Sequence, residues 1–180
     1  LFVLFGTGRS ASAAPENELA GTCLLTWAPP QMDNPQIIEV PATGGGTLRL
    51  DHNTDYILQM PQVPVEQSLY VIGGRNIVMI GGHISIPWQG DGASIRSRTM
   101  LIFRETTGTV HVEGVLGDGA DISEGIQIDA PDAVVQIQNV RIENVHARDQ
   151  NGFTDNHPDL IQVYGNAAQV WIDRFTGSSD

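Results

Sequence analysis

The sequence contains no lysine, a single cysteine and few aromatic residues, and each shortage narrows what the chain can be. Arginine is the only strong base, so nine cations stand against 21 acids and the net charge is −12. Nucleic acid is thereby excluded as a natural partner, because the phosphate term that dominates such binding would be repulsive. The same repulsion has to be answered for any acidic polysaccharide. Cys23 cannot close an internal disulfide and reads as a small buried hydrophobe. With no histidine pair at helical ligand spacing and no second cysteine, a zinc site is not expected. No apolar run approaches the roughly 20 residues of a membrane-spanning helix. Charged residues make up only 17%, too few for a coiled coil or a disordered polyelectrolyte. Twenty glycines and ten prolines demand many turns instead.

What is present begins with Leu1-Phe2-Val3-Leu4-Phe5, followed by the small residues Ser10-Ala11-Ser12-Ala13 ahead of Ala14-Pro15. This is the pattern of the end of a secretory signal with a small-x-small cleavage site. Residues 1–13 are therefore read as a signal-peptide remnant, with residues 14–180 as the exported domain. That localisation is secreted or extracytoplasmic.

Four later segments share one pattern, two strand-forming residues one position apart and then a bend: Val78-Met79-Ile80, Val110-His111-Val112, Val135-Gln136-Ile137 and Val170-Trp171-Ile172. Their first members stand 32, 25 and 35 residues apart, a solenoid period with loops of variable length. Gly82, Gly114 and Asn139 occupy the bend, residues that accept left-handed backbone angles at little cost, whereas Arg174 breaks the rule. A further strand at Val71, Ile102, Ile126 and Ile161 precedes each segment by seven to nine residues. The intervening stretches, such as Gly117-Asp118-Gly119 and Arg148 to Gly152, read as loops without helical periodicity. The expected fold is all-β, a right-handed parallel β-helix with about three strands per coil. Ile80, Val112, Ile137 and Ile172 are expected to form one interior file. The stretch from Trp27 to Pro61 would supply the N-terminal cap and incomplete first coils. Gly177-Ser178-Ser179-Asp180 has no capping character, so the helix is expected to be cut short there with further coils following.

Arg75-Asn76-Ile77-Val78-Met79-Ile80-Gly81-Gly82, and Asp159-Leu160-Ile161-Gln162-Val163 followed by Val170-Trp171-Ile172-Asp173, resemble segments of the pectin lyase-like superfamily of secreted right-handed β-helices. The layout from Trp27 to Asp180 is similar to an uncharacterised bacterial branch of that superfamily. Pectate lyases carry a similar Asp-x-Ile turn, whose aspartate helps to bind calcium, and then a Trp-Ile-Asp-His strand. Here Asp159 and Trp171-Ile172-Asp173 match, and Arg174 replaces the histidine. The resemblance implies a fold and a polysaccharide or glycan as partner. If the chain is an enzyme, it implies a polysaccharide lyase or glycoside hydrolase.

The residues themselves point to one acidic region. Aligning Ile126 with Ile161 superposes Glu124 on Asp159 and Gln127 on Gln162. Asp155, Asn156 and His157 precede Asp159 in the loop, and Asp118 and Asp121 lie one turn earlier. Carboxylates held one coil apart either raise a pKa, which suits acid catalysis, or attract Ca²⁺, which takes several oxygen ligands. A third reading is structural, with Asp159 capping a turn and the glutamines stacking as an amide ladder. His157 and Asp159 are the candidate catalytic pair, since alternation puts them on one side of an extended segment. Glu124, Asp155 and Asp159 are the candidate Ca²⁺ ligands. Gln162, Tyr164 and Trp171 are the candidate sugar contacts. Trp171, flanked by inward Val170 and Ile172, should face outward, as a stacking platform or beneath the loop from Arg148 to Pro158. A non-catalytic β-solenoid that binds glycan or builds a surface structure is the alternative function.

Overall fold

Strands form where apolar and polar residues alternate between glycine-containing bends, and nearly all of them run parallel. The computed structural model describes residues 27–43, 46–150, 153–154 and 157–180. The segment 1–13, Cys23 and Asp155 lie outside these residues. Eleven strands make one curled parallel sheet, through which the chain passes as three successive ladders. The first ladder stacks β2 (Gly46–Leu50), β4 (Leu69–Gly73), β7 (Thr99–Arg104) and the openings of β10 (Glu124–Val145) and β13 (Ile161–Ser179). The second stacks β1 (Gln36–Glu39), β3 (Tyr56–Gln59), β5 (Ile77–Ile80), β8 (Thr109–Glu113) and the middles of β10 and β13. The third holds β6 (His83–Ile86), β9 (Leu116–Gly119) and the ends of β10 and β13. A short helix, α1 (Ile95–Arg98), precedes β7. An antiparallel pair, β11 (Asp149–Gln150) with β12 (Phe153–Thr154), lies between β10 and β13.

Parallel pairing in register brings like residues over like. In the first ladder Leu69, Leu101 and Ile126 form one row and Val71, Phe103 and Ile128 the next, all fully buried. Each such side chain contributes about 2 kcal/mol through removal from water. In the second ladder Val112, Ile137 and Ile172 share a file as the repeat predicts, but its fourth member is Met79. Ile80 lies level with Glu113 and is 53% exposed. The expected alignment of the first repeat is thus off by one residue, and with a side-chain period of two, one residue exchanges inside for outside. Ile102 shows the same slip, standing level with Tyr70 and Gln127 while Leu101 takes the inward row.

The bend explains the slip. Gly81, Gly114, Asn139 and Arg174 have φ of +73°, +65°, +52° and +48°. Each follows one of the register-matched residues Ile80, Glu113, Gln138 and Asp173. The first bend therefore falls on Gly81 with Gly82 next, and the bend recurs at Arg174 although the residue type gives no sign of it. Gly117 and Gly119, expected in a loop, belong to β9. A Cβ on Gly117 would run into Met100 Sδ, and one on Gly119 into the backbone of Ile86. These glycines are packing residues in a strand.

A buried carboxylate pins the turn before β3 to the turn before β5. Asp55 accepts from Arg75 Nε and Nη2 at 2.8 and 2.7 Å and from Asn76 Nδ2 at 2.9 Å. It also accepts from the backbone N–H groups of Asp33 and Asn76. The Arg75 bond, aided by these N–H donors and opposed by burial, holds the carboxyl at about 2. A depressed pKa stabilises the fold above the ordinary aspartate value, and that contribution is lost as pH falls towards 2. Asp55→Asn should cost about 2 kcal/mol at pH 7, as loss of charge-assisted hydrogen bonds does. The gap to wild type in denaturant melts should close between pH 4 and pH 2. Gly114→Ala tests the bend separately. Its Cβ would meet nothing nearer than 3.7 Å, so a loss of about 1 kcal/mol would come from the backbone angle alone.

Candidate functional site

The site follows from the register of β10 on β13. Ile126 lies level with Ile161 and Gln127 with Gln162, so Glu124 and Asp159 stand at the same end of adjacent strands, as the sequence alignment predicts. The Gly125 N–H donates to the Asp159 carbonyl at 2.9 Å and fixes this arrangement. Glu124 is buried at the start of β10, where Oε2 accepts long bonds from Thr99 Oγ1 (3.5 Å) and Gln127 Nε2 (3.4 Å). Gln127 Nε2 also donates to Gln162 Oε1 at 3.3 Å, and Gln162 Nε2 donates to Asp159 Oδ2 at 3.2 Å. Two carboxylates and two amides thus make one connected polar group. Thr99, level with Glu124 on β7, completes it and was not singled out from the sequence, because nothing repeats around it.

Burial pushes the Glu124 carboxyl above the ordinary glutamate range, and the neighbouring Asp159 charge pushes it further. The Thr99 hydroxyl and the positive potential of His157 act in the opposite direction. His157 is exposed, and its carbonyl accepts from the Asp159 N–H at 2.9 Å. Glu124, His157 and Asp159 are therefore neighbours that feel one another, while Asp155 lies outside the described residues. Among the described residues, no group of three or more His, Cys, Asp or Glu side chains is placed to hold a metal ion.

The other acids of the region are engaged elsewhere. Asp121 is fully buried and accepts from Arg98 Nε at 2.8 Å, Arg148 Nε at 2.9 Å, Arg148 Nη2 and the Gln89 N–H at 2.9 Å. The Arg148 guanidinium also lies 3.8 Å over the Trp88 ring and donates to the Gly90 carbonyl. Asp118 pairs with His83 at 2.9 Å on the third ladder. The candidate sugar contacts divide between two ladders. Gln162 sits in the acid group, and Tyr164, 74% exposed, follows it in the chain. Trp171 belongs to the second ladder, level with Gln136, and its ring packs 5.7 Å from that of Trp27. Trp171 faces outward as expected, 38% exposed, with Trp27, from before the first strand, packed beside it.

A second polar cluster lies beneath that same segment. His111 is fully buried, with Nδ1 2.8 Å from Gln136 Oε1 and Nε2 3.0 Å from Glu113 Oε2. Gln138 donates to Glu113 and to the Trp27 carbonyl, and accepts from the Trp27 N–H. This cluster fastens the segment at Trp27 across the second ladder.

No protein-family model matches the chain, and neither does any curated protein or solved structure. No helix among the described residues is long and apolar enough to cross a membrane.

The raised Glu124 carboxyl has a measurable sign. A group whose pKa is higher in the fold favours folding while protonated, and that stability is lost as pH rises through the raised value. Glu124→Gln should therefore melt close to wild type at pH 4 and above it at pH 7 to 8. Asp159→Asn, which removes the repelling charge, should recover part of the same gain at neutral pH.

Proposed function

We propose that the chain is part of a secreted, right-handed parallel β-helix of the pectin lyase-like kind that acts on polysaccharide, with Glu124, Asp159 and His157 as its reactive group. The observation that carries this reading is the pairing of Glu124, held towards its protonated form by burial, with an adjacent Asp159 carboxylate. Hydrolysis of a glycosidic bond uses that division of labour. One carboxyl gives a proton to the leaving oxygen, and a second, ionised, activates water or stabilises positive charge on the sugar ring. Glu124 takes the first role and Asp159 the second, while exposed His157 supplies a group that can return the proton to solvent. Gln162, bonded to Asp159, and exposed Tyr164, two residues further on, are the sugar contacts of this reading. The parallel ladders and the recurrent bend support the β-helix, and the strand-by-strand repeat of Glu124-x-x-Gln127 and Asp159-x-x-Gln162 supports an extended ligand.

Calcium is the alternative occupant of the acid pair, with Glu124, Asp155 and Asp159 as ligands. Such an ion would neutralise the pair and bridge to substrate carboxylates. A glycan-binding scaffold without catalysis is the second reading, favoured by the hydrogen bonds through which Gln127 and Gln162 satisfy both acids. Turnover on a polysaccharide panel, followed by reducing ends and by absorbance of unsaturated products, separates hydrolase, lyase and scaffold. Glu124→Gln and Asp159→Asn should each lower kcat by about 10²- to 10⁴-fold with the fold intact. If calcium is the occupant, millimolar Ca²⁺ raises the melting temperature by mass action and Asp159→Asn abolishes the rise. A protein that binds but never cleaves the panel would support the scaffold.

A further inference from the structure

The distribution of arginine carries an inference beyond the acid pair. Six of the eight described arginines lie beside carboxylates: Arg75, Arg98, Arg104, Arg141, Arg148 and Arg174. The other two, Arg49 and Arg96, are exposed and form no ion pair among the described residues. In a chain with 21 acids against nine bases, a cation left without a carboxylate is unusual. Both belong to one place. Arg96 stands with its guanidinium 5.1 Å over the ring of Tyr70. Arg49 lies on β2 two residues from Thr47, the register partner of Tyr70, so alternation puts it on the same face.

Beside Arg96 is a groove of about 330 Å³ whose walls include Thr47, Gln67, Tyr70, Gln89, Ser94 and Arg96. Hydroxyls, amides and one guanidinium suit an oxygen-rich ligand with a negative group. The aromatic floor is fixed: the Tyr70 hydroxyl accepts from Arg104 Nη1 at 3.0 Å, and Arg104 Nε donates to Asp129 at 2.9 Å. Tyr70, Ile102, Gln127 and Gln162 are successive register partners in the first ladder. The groove is therefore about 10 Å, two strand spacings, from Gln127 of the acid group.

We propose that this groove binds an anionic substituent, a carboxylate or a sulfate ester, of a sugar unit lying over β2 and β4 against α1, with Arg96 as its counter-charge. The proposal rests on the polysaccharide reading and extends it by making the substrate acidic. It also answers the repulsion expected from the net charge of −12, because the cation is presented where no described carboxylate pairs with it.

Titration calorimetry on the full chain tests it with an oligoglucuronate, a sulfated glucan oligomer and a neutral glucan oligomer of equal length, and with free glucuronate and inorganic sulfate. One acidic oligomer should bind at least about tenfold more tightly than the neutral one, and which of the two does so distinguishes carboxylate from sulfate. Arg96→Gln should remove the preference with only a small fall in melting temperature, since its side chain makes no ion pair and loses only an exposed contact with the Tyr70 ring. Equal affinity for neutral and acidic oligomers, or a preference that survives Arg96→Gln, overturns the proposal. Binding of free glucuronate or sulfate that is lost in Arg96→Gln, with no oligomer binding more tightly than the free anion, upholds the groove and sinks the polysaccharide reading instead.

Discussion

The parallel main-chain ladder is the constraint on which everything else depends. In antiparallel hairpins a turn sets which residues face one another, whereas here each strand is laid on one formed 20 to 37 residues earlier. Main-chain hydrogen bonds alone then decide that Leu101 sits on Leu69 and that Glu124 and Asp159 stand side by side. Apolar rows gain from this arrangement, since each new strand covers the one before. Acidic rows suffer from it, because like charges are forced to within a strand spacing of about 4.8 Å. The raised Glu124 carboxyl and the amides that bond to both acids are two responses to that one geometric fact.

Charge is organised on a second principle. With no lysine, every ion pair of the described residues other than those of histidine uses the planar guanidinium, which can bond two groups at once and stack on a ring. Asp121 uses this to the full, joining Arg98 ahead of β7 to Arg148 after β10, while Arg148 also covers Trp88. Asp55 does the same with Arg75 at the other end of the sheet. Breaking such a buried pair by removing one partner is costlier than the pair is worth, since the survivor keeps a charge without solvent. Asp121 therefore holds two long connections in place and Asp55 two short turns, and the acid pair at Glu124 and Asp159, which lacks an arginine, is the exception.

Much of this was legible in the sequence where residue types repeat. Val110, Val135 and Val170, and Glu124 with Asp159, could be matched because both members of each pair carry the same chemistry at one offset. The match failed at Ile80 and Ile102, where a run of apolar residues allows two registers and only the bend, one residue earlier than expected, chooses between them. Arg174 could not be read as a bend, because a left-handed angle at a large side chain is imposed by the strand beneath and not by the residue. Gly117 and Gly119 looked like loop residues for the same reason: the need for an absent side chain arises from Met100 and Ile86, 17 and 33 residues away. The significance of Arg96 lay in which arginines lack a partner, and that becomes visible only once the others have found theirs.

The steps between stacked strands of the first ladder are 23, 32, 25 and 35 residues. The two long steps carry their extra length at one corner, where the third ladder hands over to the first, as the stretch around α1 and as the stretch that holds β11 and β12. A ladder that counts only strands is indifferent to what is inserted there. That corner is thus where sequence can be inserted or exchanged without altering the strand register, provided Arg98 and Arg148 keep their bonds to Asp121. Homologues would diverge at residues 87–98 and 146–160 around those two arginines and stay alike in the rows between.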